Sequence, residues 1–330
     1  MVASTKGPDH LQQERKGSAD APMDVEVTAD GLRLQGIKDS GPVALLSFYE
    51  QQNFVDDLGR PLYLEAVTAT SLQYVRDAGG VRYYGGSFDA NAAAGEDIVL
   101  DELPSKDAAF QVVRKLEALV GTGVIAKLSV LAMTPVRLPL GITLHRGLGP
   151  LSSVLNTVVP LTDPKVSQSS LANELGKLHD PVKDDVTAIY SEDLGHKKMF
   201  MLNLNKFRKI ALYGSESEEA AKGEMVSGVD AYRRYAAPLS LLRRGAFPYY
   251  MGTNVKTVLR TENGTLEDAS WDQCILVHYP YRNRVVEMIM SPSYGSRLHH
   301  RTAALEQALV QPTSPWLHLL SDSTKIESKL

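Results

Sequence analysis

Met199-Phe200-Met201-Leu202-Asn203-Leu204-Asn205-Lys206-Phe207 alternates with a period of two. Phe200, Leu202 and Leu204 fall on one side of such a strand, and Met201, Asn203 and Asn205 on the other. Two asparagines inside an apolar strand need hydrogen-bond partners wherever they are buried. Helical sequence follows over about Gly228 to Arg244, then strand sequence from Ala246-Phe247-Pro248-Tyr249-Tyr250 to Leu259. Trp271 to Tyr279 is a further strand. Helical sequence across Arg284–Gln307 and a short apolar piece, Ala308-Leu309-Val310, close the segment. This β-α-β-β-α-β order is that of a ferredoxin-like unit.

The same order occurs earlier in the chain. Val43 to Tyr49 is a strand and Leu62 to Asp77 a helix. Gly80-Val81-Arg82-Tyr83-Tyr84-Gly85-Gly86 mirrors Ala246-Phe247-Pro248-Tyr249-Tyr250-Met251-Gly252, and Asp97 to Leu103 mirrors the later strand. A helix capped by Ser105 puts Ala109, Val112, Val113, Leu116 and Leu119 on one face, and Leu128 to Met133 supplies a fourth strand. Matching Ser47 with Asn203, Tyr84 with Tyr250 and Pro104 with Pro280 gives separations of 156, 166 and 176 residues. The drift is what longer loops in the second copy produce. The expectation is an α+β chain of two tandem ferredoxin-like repeats, 41–138 and 197–312, their sheets packed against each other.

Around the repeats, residues 1–40 are polar and read as largely disordered, with a hairpin signal at 25–34 around Asp30-Gly31. Residues 139–196, broken by Pro160, Pro164 and Pro181, connect the repeats, and 313–330 form a tail. The chain has 330 residues and 43% hydrophobic content, enough for two cores. A net charge of −4 gives no footprint for nucleic acid. No apolar run approaches the roughly 20 residues that a membrane span needs. Cys274 is the single cysteine, which excludes an internal disulfide and points to a reducing, cytoplasmic location.

Met201-Leu202-Asn203-Leu204-Asn205-Lys206-Phe207, Asp230-Ala231-Tyr232-Arg233-Arg234-Tyr235, Ser291-Pro292-Ser293-Tyr294 and His299-His300-Arg301-Thr302-Ala303-Ala304-Leu305-Glu306 together resemble one family. It is the dimeric α+β-barrel superfamily, in the branch catalogued as domain of unknown function 1330. The resemblance covers about 198–312. The first repeat is similar only in outline, having Ser47 for the asparagine and no histidine pair. The resemblance implies an intrachain pseudo-dimeric barrel, in a monomer or a homodimer, with the first repeat as scaffold and the pocket in the second. The superfamily includes cofactor-free monooxygenases, isomerases, cyclases and haem enzymes, so it implies a fold more than a reaction.

The candidate chemistry lies in the second repeat. His278 is a general-base candidate, since an imidazole titrates near neutrality. Alternation groups it with Cys274 and Leu276, and Tyr279 replaces it if that face packs on helices. Asn203 can orient a carbonyl or enolate oxygen. Tyr84 and Tyr250 match in position, with Tyr249 beside the latter, and phenols suit an apolar pocket that orients an organic molecule. His299 and His300 point about 100° apart on a helix, so only one is expected to face inward. The expected catalytic set is His278, His299, Asn203 and Tyr250, with Asn205, Tyr249, Tyr84, Tyr235, His300 and Arg301 binding substrate. No metal is expected, because the histidine pair has no third ligand at helical spacing. No nucleotide-binding glycine motif and no nucleophile elbow appears. The function expected is a cofactor-independent enzyme acting on a small, largely apolar substrate by proton transfer, isomerisation, cyclisation or oxygenation. The alternatives are a non-catalytic small-molecule binder and a haem enzyme using His278, His299 or His300.

Overall fold

A computed structural model describes residues 37, 40–51, 63–88, 96–122, 125–138, 197–236, 241–242, 244–261, 270–289 and 291–316. The hairpin expected at 25–34, the connecting segment 139–196 and the end of the tail lie outside these residues. The first half runs β1 (Val43–Gln51), α1 (Tyr63–Asp77), β2 (Val81–Phe88), β3 (Glu96–Leu103), α2 (Lys106–Gly121) and β4 (Ile125–Pro135). The second runs β5 (Met199–Phe207), α3 (Glu218–Ala221), α4 (Gly228–Tyr235), β6 (Phe247–Arg260), β7 (Trp271–Tyr279), α5 (Asn283–Ile289), α6 (Pro292–Ala304) and β8 (Leu305–Pro315). No described helix is long and apolar enough to cross a membrane.

The strands close into one antiparallel barrel in the order β1-β3-β2-β8-β5-β7-β6-β4. Each set of four is therefore ordered fourth, first, third, second. The two sheets do more than face each other, as the sequence suggested: backbone hydrogen bonds join them at two seams. β4 pairs with β6 from Ser129↔Arg260 to Pro135↔Gly252, whereas β2 meets β8 only through Gly86–Phe88 and Thr313–Pro315. Side chains reinforce the shorter seam. Tyr84 Oη and Thr313 Oγ1 are 2.6 Å apart, and Trp316 Nε1 donates to Ser87 Oγ at 2.9 Å.

Strand alternation divides the core into an inside and an outside. Ala44, Leu46, Phe48, Leu100, Leu131, Phe200, Leu202, Leu204, Cys274 and Leu276 fill the barrel. Facing α1 and α2, Leu45, Val99, Leu103 and Val130 meet Val67, Val75, Val112, Val113 and Leu116. In the second half Met199, Met201, Val277 and Tyr279 meet Val285 and Val286 of α5. Desolvation inside the barrel pushes the Cys274 thiol up to about 12. The native protein should therefore leave a disulfide reagent such as DTNB unconsumed at pH 8, with one equivalent consumed only after denaturation; prompt native reaction would contradict this placement.

Helix boundaries depart from the sequence reading where caps and prolines decide. The helix expected over 284–307 is two helices, because Ser291 accepts from Tyr294 N and Pro292 takes the first turn of α6. Leu305, extended at ψ 130°, already begins β8. Within the helix expected over 228–244, α4 ends at Tyr235 with Ala236 extended, and Leu241 and Leu242 are helical again. The short α3, capped by Ser217, was not foreseen.

Candidate functional site

Among the described residues, the outer face of the second half is less completely covered along one strand row. Asn203 sits opposite Ile275 on β7 and Val310 on β8, and all three are partly exposed in mid-strand. On the same face, Met201 and Val277 to one side and Asn205 to the other are buried. The matching row of the first half, Val99, Ser47 and Val130, is no more than 1% exposed. Among the described residues, the row of the first half is thus closed by an apolar helix layer, whereas that of the second half keeps partial exposure with Ile275 and Val310 against the α5 cluster.

Hydrogen bonds fix which groups this gap in the described cover presents. Asn203 Nδ2 donates to the carbonyls of Met201 at 3.1 Å and Ile275 at 3.4 Å. Both partners are acceptors, so the amide orientation is set and the side-chain oxygen is left to accept. Asn205 Nδ2 donates to Tyr232 Oη and Gln273 Oε1, each at 3.3 Å. Tyr235 on α4 donates to Tyr294 on α6 at 3.1 Å, their rings in edge contact. Tyr294 and Arg301, seven residues apart, share a face of α6, and Arg301 is buried. Burial raises the pKa of Tyr232 and raises that of Tyr235 well above the usual phenol, and the Arg301 charge opposes this at both. The phenols accordingly stay protonated and can donate.

The expected site residues separate into three groups. Asn203 lies in the partly exposed row, and the buried Asn205 beside it leads through Tyr232 and Tyr235 to Tyr294, with Arg301 close enough to act on both Tyr232 and Tyr235. Four others line the barrel interior on the opposite face of the sheet: His278 packs between Phe200 at 5.0 Å and Phe247 at 4.9 Å. There Tyr249 Oη donates to the Tyr83 carbonyl at 3.0 Å, Tyr250 Oη donates to Glu102 Oε2 at 2.7 Å, and Tyr84 meets Thr313. Asn203, Tyr250 and His278 therefore do not converge. The parity concern over His278 applies in reverse, since it lies inside the barrel and Tyr279 lies among the helices.

His299 and His300 form the third group, away from the gap. Their rings stack at 4.0 Å, with His299 Nε2 3.6 Å and His300 Nδ1 3.7 Å from the Glu219 carboxylate. Tyr213 Oη lies 3.0 Å from His300 Nδ1. The expectation that only one ring faces inward fails because both reach sideways to one carboxylate. Burial first, then the His299 charge, lowers the His300 pKa. Sequence reasoning missed Gln273 and Glu219; Tyr232 and Tyr294 were inside quoted motifs, and the spacing of seven between Tyr294 and Arg301 was the available signal.

No protein-family profile matches the chain, and no curated protein matches it. Among solved structures it is similar to a Rhodopseudomonas palustris protein of unknown function, at 22% identity and TM-score 0.30 over 46% of this chain and 95% of that one. A Lactobacillus acidophilus protein named as a monooxygenase is 9% identical at TM-score 0.36, covering 84% of this chain and 94% of that one. Chlorite dismutase from Candidatus Nitrospira defluvii, solved with imidazole, is 11% identical at TM-score 0.40, covering 86% and 96%. Likenesses at this level assign no activity to the chain.

Proposed function

We propose that the gap over Asn203 is the small-molecule site of a cofactor-independent enzyme, acting on a largely apolar organic substrate by proton transfer, isomerisation, cyclisation or oxygenation. The carrying observation is the partly exposed row Ile275–Asn203–Val310, next to Asn205 and the tyrosines it leads to, set against the closed row of the first half. In this reading a substrate hydroxyl or enol donates to the Asn203 side-chain oxygen. Tyr232 and Tyr294 hydroxyls donate to a substrate oxygen, and Arg301 stabilises charge that develops there. Apolar contact comes from Ile275 and Val310. The donor and acceptor roles differ from the sequence expectation, in which the Asn203 amide was to hold a carbonyl.

The same reading takes 41–138 and 197–312 as a duplicated unit within a cytoplasmic chain, supported by the repeated strand order and the matched Tyr-Tyr and proline positions. The likeness of 198–312 to domain of unknown function 1330 rests on the motifs quoted above. A non-catalytic binder is the second reading, favoured by one observation: His278, His299 and His300 all lie away from the gap. For that reason none of the three fits as an axial haem ligand there.

The test is a thermal-shift and native mass-spectrometry screen of the purified chain against phenols, β-diketones and aryl ketones. A hit should raise the melting temperature, and Tyr294→Phe should weaken its binding about 5–10-fold, with a loss of about 1 kcal/mol in the unliganded protein because the Tyr235 hydroxyl loses its acceptor. Asn203→Ala should weaken it similarly and also lower stability by about 1 kcal/mol, since two bonds to strand carbonyls go with the amide. Conversion of the hit to a new mass under air supports the enzyme, and stable retention supports the binder. Binding insensitive to both substitutions would place the ligand elsewhere.

A further inference from the structure

The stacked histidine pair of α6 and the glutamate of α3 bring three ligand-type atoms within 4.8 Å of one another. The contacts from His299 Nε2 and His300 Nδ1 to the carboxylate, 3.6 and 3.7 Å, exceed hydrogen-bond length. Ligands held about 2.0–2.1 Å from a tetrahedral ion lie roughly 3.3–3.4 Å apart, so closing separations that reach at most 4.8 Å onto one ion takes shifts within the reach of side-chain torsions. Glu219 Oε2 is shielded from solvent and receives no hydrogen bond, an uncommon state for a carboxylate oxygen that a cation would relieve. The His299 side chain is 45% exposed, which gives an ion a path in and leaves room for water.

We propose that Glu219, His299 and His300 form a site for one divalent transition-metal ion of the zinc type, bound by two nitrogens and one carboxylate with a remaining position for water. Imidazole and carboxylate suit zinc, and two histidines with one glutamate and an open position make a recognised zinc ligand set. Two cations lie near the set: Arg234 of α4, which is held by Glu224 at 2.8 Å, and Arg297 of α6. Tyr213 is the local competitor, because its hydroxyl engages the His300 nitrogen that the ion would take. The three ligands come from residues eighty apart in sequence, which is why histidine spacing alone pointed away from a metal. An ion here would clasp α3 to α6, on the side of α6 away from the Asn203 gap.

The experiment titrates the chelator-treated, tag-free full chain with zinc chloride by calorimetry, and with cobalt(II) chloride by absorption. One equivalent should bind, with cobalt giving the intense visible bands of low coordination number. His299→Asn changes an exposed side chain and Glu219→Gln keeps the shape of a shielded one, so both should fold like the wild type by circular dichroism. Each should weaken zinc binding by on the order of 10–100-fold or more and abolish the cobalt bands. Absence of stoichiometric binding, or binding that both variants retain at wild-type strength, overturns the proposal. Retention in both variants would direct attention to histidines elsewhere in the chain.

Discussion

Asp101→Ala is expected to cost about 3–5 kcal/mol of folding stability, read as a lowered urea midpoint. Asp101 and Arg82 form a bidentate pair, Nε to Oδ1 at 2.7 Å and Nη2 to Oδ2 at 3.0 Å, with side chains only 2% and 3% exposed. The guanidinium also donates to the Thr68 carbonyl at 3.3 Å and to Ser71 Oγ at 3.1 Å, tying β2 and β3 to α1. Removing the carboxylate leaves a buried cation without its counter-charge, and that desolvation penalty dominates over any lost packing. Replacing both partners, Arg82→Met with Asp101→Leu, removes the uncompensated charge and should recover most of the loss. A single variant that melts within about 1 kcal/mol of wild type would show that water reaches the pair.

Gly228→Ala is the second large effect, and it bears on the site. A Cβ at Gly228 would press into the carbonyl oxygens of Arg208 and Ala304 and lie 2.8 Å from Arg208 N. All three are backbone atoms, so no rotamer change relieves them. The Gly228 amide also donates to the Arg208 carbonyl at 3.0 Å, and Arg208 N donates to the Ala304 carbonyl at 2.9 Å. This knot holds the start of α4 against the end of α6, where Ala231, Ala303 and Ala304 keep the helices close. Overpacking of this kind costs about 1–3 kcal/mol or more, and forced separation of the helices would part Tyr235 from Tyr294. The expected result is early melting together with loss of any ligand that Tyr294→Phe weakens. A variant with wild-type melting and binding would mean that the backbone yields without moving the tyrosines.

The architecture was legible because alternation and cap residues are local. Phe200, Leu202 and Leu204 declared an apolar face, Ser105 a helix start, and the Tyr-Tyr pairs a repeated order. Which face looks inward was not legible, since both faces of these strands are covered and parity alone does not label them. Hence Asn203 and His278 were placed in one cavity, although a sheet separates them. The partner of His299 and His300 was hidden for a different reason: Glu219 sits on a four-residue helix too short to leave a periodic trace. The buried pair of Arg82 and Asp101 was equally hidden, being nineteen residues apart on neighbouring strands.

The order in which the barrel closes has a consequence for synthesis. β2 and β4 form the two outer strands of the first half, and their partners β8 and β6 are made only later. β8 lies roughly 180 residues after β4, which at about 5–20 residues per second is on the order of 10–35 seconds of translation. Until β6 is made, roughly 125 residues after β4, the first half presents two unsatisfied strand edges, and from then until β8 is made it presents one, each able to pair with another nascent chain of the same kind. Slower elongation or crowded polysomes should thus raise the fraction lost to intermolecular pairing, independently of how stable the finished barrel is.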